Sequence, residues 1–330
     1  MTSTLIPGIY TSYELSGVRY TGKKAGTAGF VWKGTETETQ VSRFTGANQI
    51  AAVYGTDSSV YKTSSVLFAN GASCVKTVQV IDDYSNGFEL LMKEEDVAVM
   101  LCDSEDSADF ESMRDHILNG GENFKYRIGV CGAGGEVADM CDAAKTLNCE
   151  RMVLLPDLNA AFALAGVILG TSDPSLPYNG AELSGVEADF TYTDEEVNLL
   201  LESGVTPLRT VGGICEVIRC VTTKTETDDM YDTTWRDVNT VLVTDYVILQ
   251  IRSVLKSMFT RAKNTERTRG AVRTQVVISL ERMAEMGIIE SYGNVTAEKS
   301  GNDPSVCQVN FEFTPAGGMH SIVIAAGITV

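Results

Sequence analysis

The chain has 330 residues, 44% of them hydrophobic and 21% charged, which is ordinary for a globular protein with length for about two domains. Its net charge of -18 would repel a phosphate backbone, which excludes general nucleic-acid binding. The longest apolar run, AAFALAGVILG at 160–170, is too short to cross a bilayer, and no basic stretch followed by an apolar one opens the chain, so a soluble, unexported protein without membrane contact is expected.

Residues 1–28 are rich in Gly, Ser, Thr and Tyr, and one piece, GIYTSYEL at 8–15, has strand character; the segment reads as an extended arm. From Phe30 onward short apolar runs alternate with helix-like segments, the signature of an α/β layer architecture. Strands are predicted at 29–32, 74–81, 96–102, 126–131 and 151–155, and helices at about 58–69, 107–119, 136–147 and 158–169. In TDEEVNLLLESGV, Thr193 and Glu196 form a capping box and Gly204 supplies the stop, which predicts another helix. Gly212-Gly213 between two apolar runs marks a hairpin.

A long helix is predicted from about Trp235 to Ala262, with Ile248, Ile251, Leu255 and Met258 on its apolar stripe. A second runs from about Arg269 to Met286, its stripe made by Val276, Leu280 and Met283. In VCQVNFEF the residues Cys307, Val309, Phe311 and Phe313 alternate with Gln308, Asn310 and Glu312, the period of a half-buried strand. The last ten residues, SIVIAAGITV, are apolar on both faces of a strand and call for burial on both.

The eight cysteines form no CxxC pair, and several sit in apolar strand-like runs, so they read as small core residues in a reducing compartment. GVCGAGGEV at 129–137 follows a strand and opens a helix, with Asp157 about 20 residues on, as in dinucleotide-binding folds. Against that reading, Val137 stands where the third glycine belongs, and Glu136 would face a pyrophosphate; a tight structural turn at Gly132–Gly135 is the better account. His116 reads as a surface or boundary residue and His320 as solvated, and no serine sits in a nucleophile elbow.

Seven cations, Arg252, Lys256, Arg261, Lys263, Arg267, Arg269 and Arg273, fall within 22 residues beside a single acid, Glu266, on a chain whose remainder holds 19 basic and 43 acidic residues. If one helix ran through them, Arg252, Lys256, Lys263 and Arg267 would share a face suited to an acidic partner surface.

Several blocks, in this order, resemble the contractile tail sheath proteins of phages and phage-tail-like bacteriocins: IPGIYTSYELS, GTAGFVWKG, FALAGVILGTSDPSLPYNGAELSGV, YTDEEVNLLLESGVTPLRTVGGICEVIRCVTT and WRDVNTVLVTDYVILQIRSVL. The resemblance implies a non-catalytic α/β core of subtilisin-like topology at 29–225, an α+β C-terminal domain at 226–313 and an exchange strand at 314–330. It implies that the terminal strands are exchanged between subunits, which assigns that role to Ile9, Tyr10, Tyr13, Leu15, Ile322, Val323, Ile324 and Ile328. It further implies no enzyme activity and no cofactor. The partners would be copies of the chain in a helical stack of hexameric rings, a tail tube facing the basic residues, and baseplate and terminator proteins. The setting would be a virion or tailocin particle assembled in the host bacterial cytoplasm. With only the short stretch at 82–96 where many members insert a β-sandwich, the chain would be a minimal form lacking most of that outward decoration, with a reduced outer domain at 82–96 left open. A nucleotide-binding enzyme, or a sheath-related baseplate or initiator subunit, are the alternatives.

Overall fold

The computed structural model describes residues 26–122 and 125–319; the strand-like piece at 8–15, His320 and the terminal SIVIAAGITV lie outside them. Strand β1 (Thr27–Lys33) leads to the short β2 (Ser42–Phe44), helices α1 (Ala47–Tyr54) and α2 (Ser59–Ala69), and β3 (Cys74–Val80). Strands then alternate with helices: α3 (Tyr84–Leu91), β4 (Val99–Cys102), α4 (Ser107–Glu122), β5 (Ile128–Gly132), α5 (Val137–Leu147), β6 (Met152–Leu155) and α6 (Leu158–Gly170).

These strands form one sheet in the order β2-β3-β1-β4-β5-β6, parallel except for β2 at the edge. Helices cover both faces, so the central strands are buried on both sides and mostly apolar, while the buried Lys76 of β3 is neutralised by Glu94 and Asp96. Along β1, Ala28, Phe30 and Trp32 enter one hydrophobic cluster, while Val31 enters the other on the opposite face. In α6 most residues are buried and apolar, because it lies between the sheet and α2; Phe30 and Phe162 meet edge to face at 4.8 Å. A Cβ on Gly166 would sit 2.5 Å from the Leu67 carbonyl oxygen, so the approach of α6 to α2 depends on that glycine.

Beyond the sheet come β7 (Glu182–Leu183), α7 (Asp194–Ser203), β8 (Leu208–Val211), β9 (Ile214–Val217), β10 (Glu226–Thr227) and β11 (Met230–Tyr231). The capping box at Thr193 and Glu196 is formed, Gly204 is left-handed at φ 84°, and Gly212-Gly213 joins β8 to β9, all as the sequence predicts. The chain ends its described part with α8 (Val238–Phe259), α9 (Glu266–Glu285), β12 (Ile289–Lys299) and β13 (Cys307–Pro315). Helix α8 is long and apolar enough on average to span a membrane, but its apolar residues are spent on the protein's own core.

The stretch at 82–96 holds no sandwich; it forms α3, capped by Asp83 accepting from Ser85 N–H, with Tyr84, Phe88 and Leu91 buried at helical spacing. His116 is not a surface residue. It is 7% exposed and its Nε2 lies 2.8 Å from Nη1 of the fully buried Arg127, which offers only donors, so the imidazole is neutral and accepts there. Arg127 Nη2 also donates to the Leu91 and Glu94 carbonyls, tying off the end of α3. Burial, and then the Arg127 charge, push the His116 imidazole down to about 3.

A histidine held below its unfolded value supports stability that is complete above that value and is lost as pH falls towards the folded one. With an unfolded pKa of about 6.5, the wild type should lose about 2 kcal/mol between pH 7 and pH 5 through this group. His116→Gln keeps an acceptor for Arg127 and has no such proton. Urea denaturation at the two pH values should show a smaller acid loss in the variant; equal losses would remove His116 from this role.

Candidate assembly surface

Helix α8 changes neighbours along its length. Val238 and Val241 pack in the first cluster with the sheet and α6, whereas Val243, Val247, Ile251 and Leu255 face Val272, Val276, Leu280 and Met283 of α9. Of the predicted stripe, Ile248, Ile251 and Leu255 are buried, but Met258 is 57% exposed, and it is Phe259 that packs against the α8–α9 cluster at this end. The helix stops at Phe259. Thr265 then caps α9 by accepting from Thr268 N–H, and Glu266, the one acid of the basic stretch, takes the first turn of α9, where the helix dipole favours it.

This break corrects the single cationic face. Arg252 and Lys256 are on α8, Arg261 and Lys263 on the turn, and Arg267, Arg269 and Arg273 on α9. Lys256, Arg261, Lys263, Arg267 and Arg273 are exposed. Arg252 is half-buried, and burial pulls its guanidinium down against the influence of Tyr126. Arg269 Nη1 donates to Asn264 Oδ1 at 3.1 Å, and Arg273 Nε donates to the Val295 carbonyl of β12 at 2.8 Å. The seven cations thus divide into four solvent-facing ones around the turn and three drawn into the fold by burial or a hydrogen bond, of which Arg273 stays exposed while bonded to β12.

Strands β12 and β13 pair antiparallel, and one face of this hairpin packs against α9 and α8. Val309, Phe311 and Phe313 are half-buried there, with the two rings stacked at 6.2 Å, while Gln308, Asn310 and Glu312 point to solvent. Among the described residues each strand has one strand neighbour, so neither outer edge is paired with another described strand. On β12 the ladder shifts between Gly293 and Thr296, where Asn294 is left-handed at φ 49°. A two-stranded sheet is marginal by itself, and an open edge is a template for a further strand.

The enzyme alternative finds little support at its own residues. In a doubly wound sheet, ligands bind at the carboxyl ends of the strands where the winding reverses, here β1 and β4, whereas the glycine turn follows β5. The β1/β4 mouth is filled by Asp103, which accepts from Lys33 N–H at 3.0 Å and from the Tyr84 hydroxyl at 2.7 Å. At the glycine turn, a Cβ on Gly132 would lie 2.5 Å from the Asp157 carbonyl oxygen, so Gly132 is required for packing. Asp157 spends its carboxylate on capping α6 through Ala160 N–H at 2.8 Å, and Glu136 and Asp139 open α5 with negative charge. Burial pushes the thiols of Cys102, Cys149 and Cys220 up to about 12, away from nucleophilic use.

Two features of this region escape the sequence reading. Asn264 has no signal beyond a polar residue near a helix end, and Lys299 lies outside the basic stretch yet lines a shallow groove with Glu266, Arg269 and Gly270.

Residues 231–329 match the family model of the phage tail sheath C-terminal domain. A search of curated proteins gives no match. Among solved structures, the chain is similar to the helical sheath of the anti-feeding prophage in its contracted state, with a TM-score of 0.71 and 14% identity over 98% of this chain and 99% of that one. It is similar to a chain of the anti-feeding prophage baseplate, at 0.70 and 14% over 99% and 100%. A sheath tail protein of Listeria innocua gives 0.71 and 11% over 91% and 94%. The chain therefore carries the phage tail sheath C-terminal domain at residues 231–329, on a chain with the tail sheath fold.

Proposed function

We propose that this protein is the repeating, non-enzymatic subunit of a contractile tail sheath, which polymerises as a helical stack of hexameric rings around a tail tube and contracts to drive it through a target envelope. The observation that carries this reading is the open-edged β12–β13 hairpin within the sheath C-terminal domain. Its edges would accept strands from other copies, supplied by Ile9, Tyr10, Tyr13 and Leu15 of the arm and by Ile322, Val323, Ile324 and Ile328 of the end segment. Baseplate and terminator proteins would close the stack, in a virion or tailocin assembled in the bacterial cytoplasm. Full-length protein expressed alone and viewed by negative-stain electron microscopy should form long tubes. The likeness to a baseplate chain favours a second reading, a baseplate or initiator subunit, for which single rings that do not extend would be seen.

The solvent-facing cations would meet an acidic tube. Exposed pairs contribute only about 0.2–1 kcal/mol each and are screened by salt, which suits contacts that must break when contraction starts. Reversing Lys256, Arg261 and Lys263 to Glu should leave tube-free polymers intact but strip sheath from co-expressed tubes. Normal sheathing by the triple variant would move the tube contact elsewhere.

A further inference from the structure

Building on the tube-facing reading, we infer that Asn264 is the positioning residue of the basic turn, and that the β12–β13 loop is the support against which Arg261 and Lys263 are presented. Exposed cations on a six-residue helix connection would ordinarily sample many positions, and ordering them at a partner surface costs conformational entropy. Here the connection is fastened. Asn264 Nδ2 donates to the Pro304 carbonyl at 2.9 Å and to the Val306 carbonyl at 3.1 Å, while its Oδ1 accepts from Arg269 at 3.1 Å. One amide thus joins the turn to a loop 40 residues away and to the first turns of α9.

The support is itself ordered. Asp303 accepts from both the backbone and the hydroxyl of Ser305, at 2.8 and 2.7 Å, and its carbonyl accepts from Val306 N–H at 3.1 Å. Val306 then accepts from Ser300 N–H at 3.0 Å, closing the loop across the strand ends. Bonds to Ser305 hold the Asp303 carboxyl below the usual range. Arg269 is withdrawn from the solvent-facing set by its bond to Asn264, whereas Arg261 and Lys263, just before the fastened residue, are exposed. Asn is suited to this place because it donates and accepts at once; Asp could keep Arg269 but would set a carboxylate against two carbonyl oxygens.

The test uses full-length protein co-expressed with its tail tube, comparing wild type, Asn264→Ala, Asn264→Asp and the double reversal Arg261→Glu/Lys263→Glu. Both Asn264 variants should keep the wild-type thermal midpoint yet exchange amide hydrogens at 260–265 and 300–306 roughly tenfold faster. They should also release tubes at about twofold lower salt, a readout that loss of a purely structural bond would not move. The double reversal should release tubes at still lower salt. If it does so while the Asn264 variants hold tubes as the wild type does, the positioning role is overturned and the tube contact stands. If the double reversal changes nothing, the tube contact itself fails and the inference with it.

Discussion

Deleting residues 321–330 is expected to abolish helical assembly and leave a folded, unpolymerised subunit. Three hydrophobic clusters already form within residues 28–313, so the fold has its core without the final ten residues. What the deletion removes is a segment whose sequence would be apolar on both faces of a strand and which, in the proposed arrangement, pairs with the open hairpin of another copy. Four or five backbone hydrogen bonds at about 1 kcal/mol net each, with a few Ile and Val side chains at about 1.5–3 kcal/mol each, make one link worth several kcal/mol. A lattice repeats that link at each subunit, so its loss should eliminate tubes entirely. Removing residues 1–15 should do the same. Light scattering and negative-stain images of the truncated proteins would check both, and tubes of normal diameter from either would exclude strand exchange as the connecting device.

The second large effect concerns the bond between the sheet and α8. Arg151, just before β6, donates to Asp245 of α8 at 2.7 and 3.2 Å, with the two side chains 3% and 2% exposed. Arg151 also donates to the Arg127 carbonyl at 3.4 Å and lies over the Tyr126 ring at 5.2 Å. Burial raises the Asp245 carboxyl to about 7, with Arg151 offsetting only part of that rise, so the carboxylate depends on Arg151 for its place in the interior. Asp245→Ala strands a guanidinium in the core and should cost about 3–5 kcal/mol. The double variant Arg151→Met/Asp245→Leu fills the same space without charge and should recover most of that loss. Denaturant midpoints of the three proteins would decide it; a double variant as unstable as Asp245→Ala would mean that the pair contributes more than mutual neutralisation. Because α8 also carries Lys256 and leads into the basic turn, the single variant should impair tube binding even where it remains folded.

The α/β layer was legible in the sequence because its parallel strands must be buried on both faces. All four residues of β4 (VMLC) and all four of β6 (MVLL) are buried, and that requirement leaves an apolar run readable without a partner. The helix behind the Thr193 capping box was legible for a local reason: two side-chain groups three residues apart satisfy the helix end themselves. By contrast the bounds of β12 were not. Its bulge around Asn294 breaks the alternation by which a strand is recognised, and the compensating bond from Arg273 comes from 22 residues away. Helix α3 was missed because eight residues give barely two turns of periodicity, and what fixes it is Arg127, 36 residues on from the Leu91 carbonyl it holds.

The basic stretch divides the same way. Its composition was fixed by the order of residues, and so was the contrast with an acidic remainder, since charge is a property each side chain brings with it. Which cations face outward was decided only by the fold. The break at Phe259 turned one imagined face into two helices and a turn, Arg269 and Arg273 were taken up by Asn264 and the β12 carbonyl, and Lys299 entered from a distant strand. Periodicity, caps and charge are local, and a sequence states them directly. Which polar groups pair with one another across the chain depends on distances that exist only once the layers have packed.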